Sequence, residues 1–333
     1  MFRDLVNLGD FEKSKTPAEK LRFLAHFGNL APSSHNMQPW LFRLSENTIE
    51  IRPNPKRRLQ HSDPSDREQI LSLGAAVANI LMAAEALGLP YARLPAMAPI
   101  AAAISFQNFQ AVKRDERVLS ALSRRQCNRL QYLPRTVPES FRGRILSMAT
   151  PKMEVAYVSD VPRMRQISDI VLDATGEAFA DKLFRLELSR WIKPSFPRYR
   201  EGMPGYYIGV PAPVSFFLPW IIRNFNIGSS QKKMIRPALE HSAAFIVFGS
   251  EDGVESWLEI GESFERLAVE AHMLGMAFSV FGAPIEIGSH HHRLGEIAGL
   301  RARPQLFLRL GYPPKAIPYS PRLPLSEVID ASQ

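Results

Sequence analysis

The sequence predicts an α+β fold assembled from two similar halves, and three observations carry that expectation. Residues 70–89, ILSLGAAVANILMAAEALGL, align without a gap on residues 257–276, WLEIGESFERLAVEAHMLGM. Leu71 then meets Leu258, Gly74 meets Gly261, Ala84 meets Ala271, Leu87 meets Leu274 and Gly88 meets Gly275. Each stretch reads as a long helix closed by its last glycine, the residue that best tolerates the left-handed conformation of a C-cap. Each is followed by a short strand-like run, PYARL at 90–94 and AFSVF at 277–281. Helices and strands mix in both halves, with no GxGxxG opening a βαβ unit. Two related halves in one chain suggest a fused pseudo-dimer with its ligand at the seam.

The elements follow in order. Thr16-Pro17-Ala18-Glu19 is a capping box with proline at the first helical position. It opens a helix whose Leu21, Leu24 and Ala25 share a face and which decays at Gly28-Asn29. The run WLFRLSENTIEIRPN, 40–54, predicts a hairpin turning at Glu46-Asn47. HSDPSDRE, 61–68, caps the first repeated helix. From 100 to 150 the chain crosses over, basic and then broken by prolines. EVAYVSD (154–160), AAFIVFGS (243–250) and RPQLFLRLGY (303–312) read as strands, and Ile167, Ile170 and Val171 mark a helix. Residues 190–240 read as irregular and aromatic.

Composition narrows the class. Of 333 residues, 45% are hydrophobic and 22% charged, as in ordinary globular chains. The single cysteine, Cys127, excludes internal disulfides and fits a reducing compartment. The opening MFRDLVNLGDFEKSK has no apolar h-region, so the expected location is the cytoplasm. The most apolar run, VPAPVSFFLPWII at 210–222, holds three prolines and is too short to span a bilayer, so no membrane partner is expected. The formal charge of +8 comes in small groups without a basic tail or zinc-finger spacing. It therefore gives no expectation of nucleic-acid binding, and a small anionic ligand uses such pairs equally well.

Three loops carry candidate chemistry. APSSHNMQPW, 31–40, sets the hydroxyls of Ser33 and Ser34 and the amides of Asn36 and Gln38 between two prolines. Donors on so stiff a loop suit a ligand with several acceptors, because little entropy is lost on binding. LSRRQCNRLQY, 122–132, brings Arg125 and Arg129 around Cys127. Guanidinium groups bind phosphate bidentately and stay charged at any working pH. In SVFGAPIEIG, 279–288, Gly282 permits close backbone approach at a strand end. Trp40 is expected in the core. The adjacent His290, His291 and His292 cannot all face one ion from regular structure, and no metal site is expected. His35 sits inside the polar loop. No Gly-x-Ser-x-Gly elbow is present, and no covalent catalytic residue is assigned.

The motifs Ala31-Pro32-Ser33-Ser34-His35-Asn36-Met37-Gln38-Pro39-Trp40, Asp63-Pro64 with Arg67-Glu68, Ser72 to Ala76 with Asn79, Arg125 to Arg129, Trp257 with Gly261, and Arg309-Leu310-Gly311-Tyr312 together resemble the nitroreductase-like flavoprotein superfamily. Within it they are most similar to the fused, single-chain Acg-like subgroup. The resemblance runs from about residue 18 to the end of the chain. It implies FMN bound between two nitroreductase-like halves, 1–120 and 121–333, with a lid-like insertion at 190–230. It also implies that the Ser33–Asn36 loop and the Arg125-x-Cys127-x-Arg129 segment complete one site rather than two. Gly282, Ala283 and Pro284 then lie by the flavin ring, and Arg322 stands where the family has a C-terminal phosphate arginine. Cys127 departs from the family's Ser or Thr, a weaker donor in its place. The activity implied is hydride transfer from NAD(P)H through flavin N5 to a nitroaromatic, quinone or similar acceptor. A flavin-binding protein with little turnover, storing FMN under the lid, is the alternative. Either a monomer with pseudo-dimeric halves or a homodimer fits.

Overall fold

The computed structural model describes residues 6–330 except 8, 197 and 209. Helix Pro17–Asn29 starts from the expected capping box, with the Thr16 hydroxyl accepting from the Glu19 amide at 3.2 Å and the Glu19 carboxylate accepting from the Thr16 amide at 3.0 Å. Strands β1 (Trp40–Ser45) and β2 (Thr48–Pro53) form the predicted hairpin. Helix Arg67–Leu87 follows and is closed by Gly88 at φ 66. Strands β3 (Tyr91–Leu94) and β4 (Ala102–Phe106) complete an antiparallel sheet of order β1-β2-β4-β3.

The second half repeats this plan. β5 (Met153–Val158) is followed by an insertion that includes helices Val161–Ala180 and Lys182–Trp191 and two-residue strands β6 (Ile192–Lys193) and β7 (Met203–Pro204). Then come β8 (Ala244–Ser250), helix Val254–Met273, β9 (Ala277–Val280) and β10 (Pro304–Gly311). The order β5-β8-β10-β9 matches the first sheet strand for strand, again antiparallel throughout. In each sheet the long helix lies between the second and third strands in sequence.

The two long helices cross where the alignment pairs their glycines. A Cβ on Gly74 would lie inside contact distance of the Leu258 carbonyl oxygen, and one on Gly261 would do the same to the Leu71 carbonyl. Leu71 and Leu258 are themselves partners in the alignment. The contact is therefore reciprocal, residue for residue, as at the interface of a two-fold dimer. Both glycines are required here because backbone, not side chain, stands opposite them. One apolar core runs through both halves, from Phe27, Trp40 and Leu81 to Phe264, Phe278 and Leu308. Trp40 is buried in it, its indole N–H donating to the Asn29 side chain at 3.0 Å. Helix Arg67–Leu87 is long and apolar enough to cross a membrane, but it is this core's central helix.

Two expectations change. Residues 102–106, expected in a crossover, are an inner strand between β2 and β3. A short apolar run does not reveal its period, and its neighbours decide it. Residues 228–240, expected to be irregular, form helix Gly228–Glu240 despite Pro237, and it packs on helix Val161–Ala180. After β10 the chain returns to the first half. The Asp330 amide donates to the Phe42 carbonyl at 2.8 Å, and the Leu323 amide donates to Gln38 Oε1 at 2.8 Å.

Candidate functional site

The loop of residues 31–40 is held in strain. His35, Asn36 and Gln38 all have left-handed backbone angles, φ 50, 56 and 53. Each such residue costs roughly 1–3 kcal/mol and persists only where its surroundings over-determine it. Here the Ser33 hydroxyl accepts from the Gln38 amide at 2.9 Å. The Asn36 side chain donates to the Gly202 and Pro321 carbonyls at 3.1 and 3.0 Å. Arg322 donates to Asn36 Oδ1 at 2.9 Å and to the Asn29, Leu30 and Ala31 carbonyls at 2.9–3.0 Å.

The arm of residues 125–129 joins the halves. Arg125 is buried, with Nε 2.8 Å from the Glu265 carboxylate, and it donates to the Leu30 carbonyl and the Cys127 sulfur. Asn128 donates from its amide to the Phe278 carbonyl on β9 at 2.9 Å. The Tyr207 hydroxyl donates to the Cys127 carbonyl at 3.2 Å. Arg129 is exposed, its Nη1 3.4 Å from the Met203 sulfur and its guanidinium 5.6 Å from the Tyr207 ring centroid.

These pieces enclose one cavity. Of the residues expected at the site, Ser33, Ser34, Asn36, Arg125, Cys127, Arg129, Gly282, Ala283 and Arg322 line it. Gln38 and Pro284 do not. Gln38 is fully buried behind the loop, where its amide donates to the Asn36 and Arg200 carbonyls and accepts from Leu323. Pro284 is buried as the second residue of the one-turn helix Ala283–Glu286. Of the insertion, Met203 and Tyr207 form the roof, and Phe184 also lines the cavity. Phe216 and Trp220 of the insertion do not line the cavity and are exposed.

The cavity also holds acids that the sequence reading did not assign. Glu68 and Glu286 share its wall, and a Cβ on Gly282 would stand 2.7 Å from an Oε1 of each. Arg67 pairs with Glu286 at 3.0 Å. Burial pushes the Glu286 carboxyl well above its usual range, reinforced by the charge and hydrogen bond of Glu68. Burial also works against Glu68, but the hydrogen bond from Glu286, the Arg67 charge and the Ser34 hydroxyl outweigh it and hold Glu68 low. Of the two, Glu286 is the one whose surroundings favour the protonated form. Burial lowers the neighbouring His35, with Glu68 opposing and Arg129 assisting the shift. His35 lines the same cavity. Both glutamates lie in motifs visible in the sequence, at Arg67-Glu68 and in GAPIEIG, but only the fold brings them together.

A second cavity is the counterpart of the first. In the register set by Gly74 and Gly261, Glu68 falls on Glu255, Leu71 on Leu258, Ser72 on Glu259, Ala75 on Glu262, Phe264 on Val77 and Val280 on Arg93. Every first-named residue lines the first cavity, and every second-named residue lines the second. Strand pairing agrees, since Val280 faces Leu308 as Arg93 faces Ile104. Where the first cavity has Ser72, Ala75 and Val280, the second has Glu259, Glu262 and Arg93. Arg93 donates to both oxygens of Glu262.

No family profile matches the chain. A Mycobacterium tuberculosis H37Rv protein, Rv3131, provisionally named an NAD(P)H nitroreductase, is 30% identical over 331 residues, covering 94% of this chain and 92% of its own. The M. tuberculosis protein acg, with the same provisional name, is 25% identical over 316 residues, covering 90% of this chain and 91% of its own. Among solved structures, the NADPH:FMN oxidoreductase from Vibrio harveyi complexed with NAD+ is 11% identical, with a TM-score of 0.41 over 65% of this chain and 77% of that one, a likeness too distant to weigh on the chemistry. The chain belongs to the nitroreductase-like superfamily of α+β proteins. Within it, it falls in the Acg-like group.

Proposed function

We propose that the first cavity binds one FMN and that the chain is an NAD(P)H-dependent oxidoreductase, acting on a nitroaromatic, quinone or similar small acceptor. The observation that carries the reading is convergence. Donors from the 31–40 loop, the 125–129 arm, the end of β9 and the C-terminal tail meet in one cavity. The donor set suits a flavin mononucleotide. Among the described residues Arg129 meets the Met203 sulfur and the Tyr207 ring and no carboxylate, so it suits a phosphate, and Ser33, Ser34 and Cys127 offer short polar groups on the same cavity wall. The provisional names of the relatives, NAD(P)H nitroreductase, support the same class. With the halves placed at 1–120 and 121–333, the site lies across their seam.

When bound, FMN would accept a hydride from NAD(P)H and pass reducing equivalents to the acceptor. The protein's own part is to position, shield and protonate. Glu286, the member of the pair whose carboxyl burial raises, can donate a proton to an acceptor reduced nearby and regain one from solvent when the roof opens. The cavity is about 200 Å³, below the roughly 300–1,000 Å³ of pockets that take drug-sized ligands. Entry therefore requires Met203 and Tyr207 to move. The roof is tied down by the Arg57–Glu201 pair at 2.6 Å and by the Gly202 amide donating to the Asn36 carbonyl at 3.2 Å. A roof that stays shut over bound flavin makes the protein a flavin store.

Two measurements test this. Titration of apoprotein with FMN is expected to saturate at one flavin per chain. Two per chain, or none, overturns the single-site account. Anaerobic stopped-flow bleaching by NADH or NADPH is expected to be fast. Bleaching too slow to support turnover assigns the storage role.

A further inference from the structure

The apolar run 210–222, too short to span a bilayer, lies across the surface of the insertion. Ile222 is buried beneath it, but the aromatic side chains are turned out. Phe217 is 65% and Trp220 59% exposed, and Val214, Phe216 and Phe225 are exposed beside them. The patch is continuous. Phe196 packs edge-on to Phe216 with ring centroids 4.7 Å apart, and Trp220 to Phe225 at 5.4 Å. Phe216 and Phe217 form the turn between the short helices Ala212–Ser215 and Leu218–Asn224, and Trp220 lies in the first turn of the second. Isolated exposed apolar residues are ordinary, whereas a contiguous aromatic patch marks an interaction surface.

The segment that carries it is basic, although Lys232 pairs with Asp173 at 3.0 Å. Residues 182–236 carry ten lysines and arginines against two glutamates, a surplus equal to the +8 of the whole chain. Every exposed charge in that span is basic, including Arg198, Arg200, Arg223, Lys233 and Arg236. Glu187 is buried, and Glu201 is paired with Arg57 and Lys193.

We propose that this face docks onto an anionic lipid bilayer, with Phe216, Phe217, Trp220 and Phe225 entering the headgroup boundary and the surrounding lysines and arginines meeting lipid phosphates. Aromatic side chains on an apolar face flanked by basic residues are the composition of an interfacial segment. The expectation of no membrane partner rested on the lack of a span, and lying on a surface needs none. A second copy of the chain fits less well. A two-fold contact would lay the basic ring against itself, and like charges would repel. An anionic surface attracts the same ring.

The position has a consequence for the cavity. Ser215, in the short helix Ala212–Ser215, accepts from the Ser195 amide at 2.9 Å, and the Ser195 hydroxyl accepts from the Tyr206 amide at 3.0 Å. Tyr206 adjoins the roof residue Tyr207. The docking face is therefore linked by hydrogen bonds, through Ser195, to the segment that carries the roof residue Tyr207. Docking itself does not depend on the oxidoreductase reading.

The test uses the full chain with vesicles of phosphatidylcholine, with and without phosphatidylglycerol. Cosedimentation is expected only with phosphatidylglycerol and is expected to be lost in high salt. Phe217→Glu with Trp220→Glu, and separately Arg223→Glu with Lys233→Glu, should each weaken binding by about tenfold or more. All four side chains are exposed, so unchanged melting temperature and flavin content would show that the fold is intact. Should either variant lose its fold, blue-shifted Trp220 emission on vesicle addition, absent in Trp220→Phe, reports the same contact in a milder variant. Failure to bind anionic vesicles, binding unchanged in the folded variants, or a dimer that the first variant converts to monomer without any vesicle binding would each overturn the proposal.

Discussion

At the scale of single residues, the arginines expected to share one role divide. Arg125 and Arg322 are spent on the protein, one against Glu265 and the Leu30 carbonyl, the other on a ring of backbone carbonyls. Burial, together with the charge of Arg125, lowers Arg322 to about 10. Arg129 alone of the three is exposed. Arg129→Ala is therefore expected to weaken FMN binding by about tenfold or more, from loss of a charge-assisted contact worth roughly 1.5–3 kcal/mol, with little change in melting temperature. Arg125→Ala should instead destabilise the fold, because a buried ion pair with Glu265 and the hydrogen bond to the Leu30 carbonyl would be lost. Equal behaviour of the two variants in flavin titration and thermal melting would count against this division. Asp63 offers a pH test. Burial and the charge of Glu68 push its carboxyl up to about 7, against Arg67. A folded value above the unfolded 3.8 means that its contribution is fully present below 3.8 and disappears as pH rises through 7. Asp63→Asn keeps an acceptor for the Gln69 amide and does not ionise. The melting-temperature advantage of Asn over Asp should thus grow between about pH 5 and about pH 8. Parallel melting curves across that range would refute it. The stiff loop and the arginine arm were legible in the sequence because their chemistry is local. Which arginine stays open, and that Glu68 meets Glu286, depend on partners from distant segments.

At the scale of elements, the repeated helices were legible because both their glycine closures and their apolar faces recur in register. Their crossing was not, since a glycine in a helix reads the same whether it faces solvent or a backbone. The fold assigns Gly74 and Gly261 to the contact and makes them sensitive. Gly74→Ala or Gly261→Ala is expected to cost about 3 kcal/mol or more, because the atom met is a main-chain carbonyl that cannot rotate away. Gly143, in helix Glu139–Leu146, has nothing within 4 Å of an added Cβ. Gly143→Ala should stabilise by roughly 0.5–1 kcal/mol. Chemical denaturation midpoints of the three variants check both signs. Strand β4 and helix Gly228–Glu240 escaped the sequence reading for a shared reason. The first is too short to show a period, and the second carries a proline, so both depend on neighbouring elements for their form.

At the scale of the whole molecule, the single flavin expected per chain has two independent grounds. One is the gathering of the binding motifs at one cavity. The other is the state of the counterpart cavity, where three glutamates would oppose a phosphate and the Arg93–Glu262 pair fills the space given to Val280 and Ala75 in the first. The alignment pointed to a repeat, but the fate of the second site was legible only once strand register showed which residues correspond. The Gly74–Gly261 crossing has a wider consequence. In a dimer of identical subunits each residue appears twice, so one substitution alters both sites together, and neither can be given up while the other is kept. Joining the halves in one chain removes that constraint. One position can keep a serine while its mirror image becomes a glutamate, and a long insertion can grow over one site alone. The crossing preserves the old symmetry where the helices must still fit, while the two ends of the molecule have been free to evolve apart.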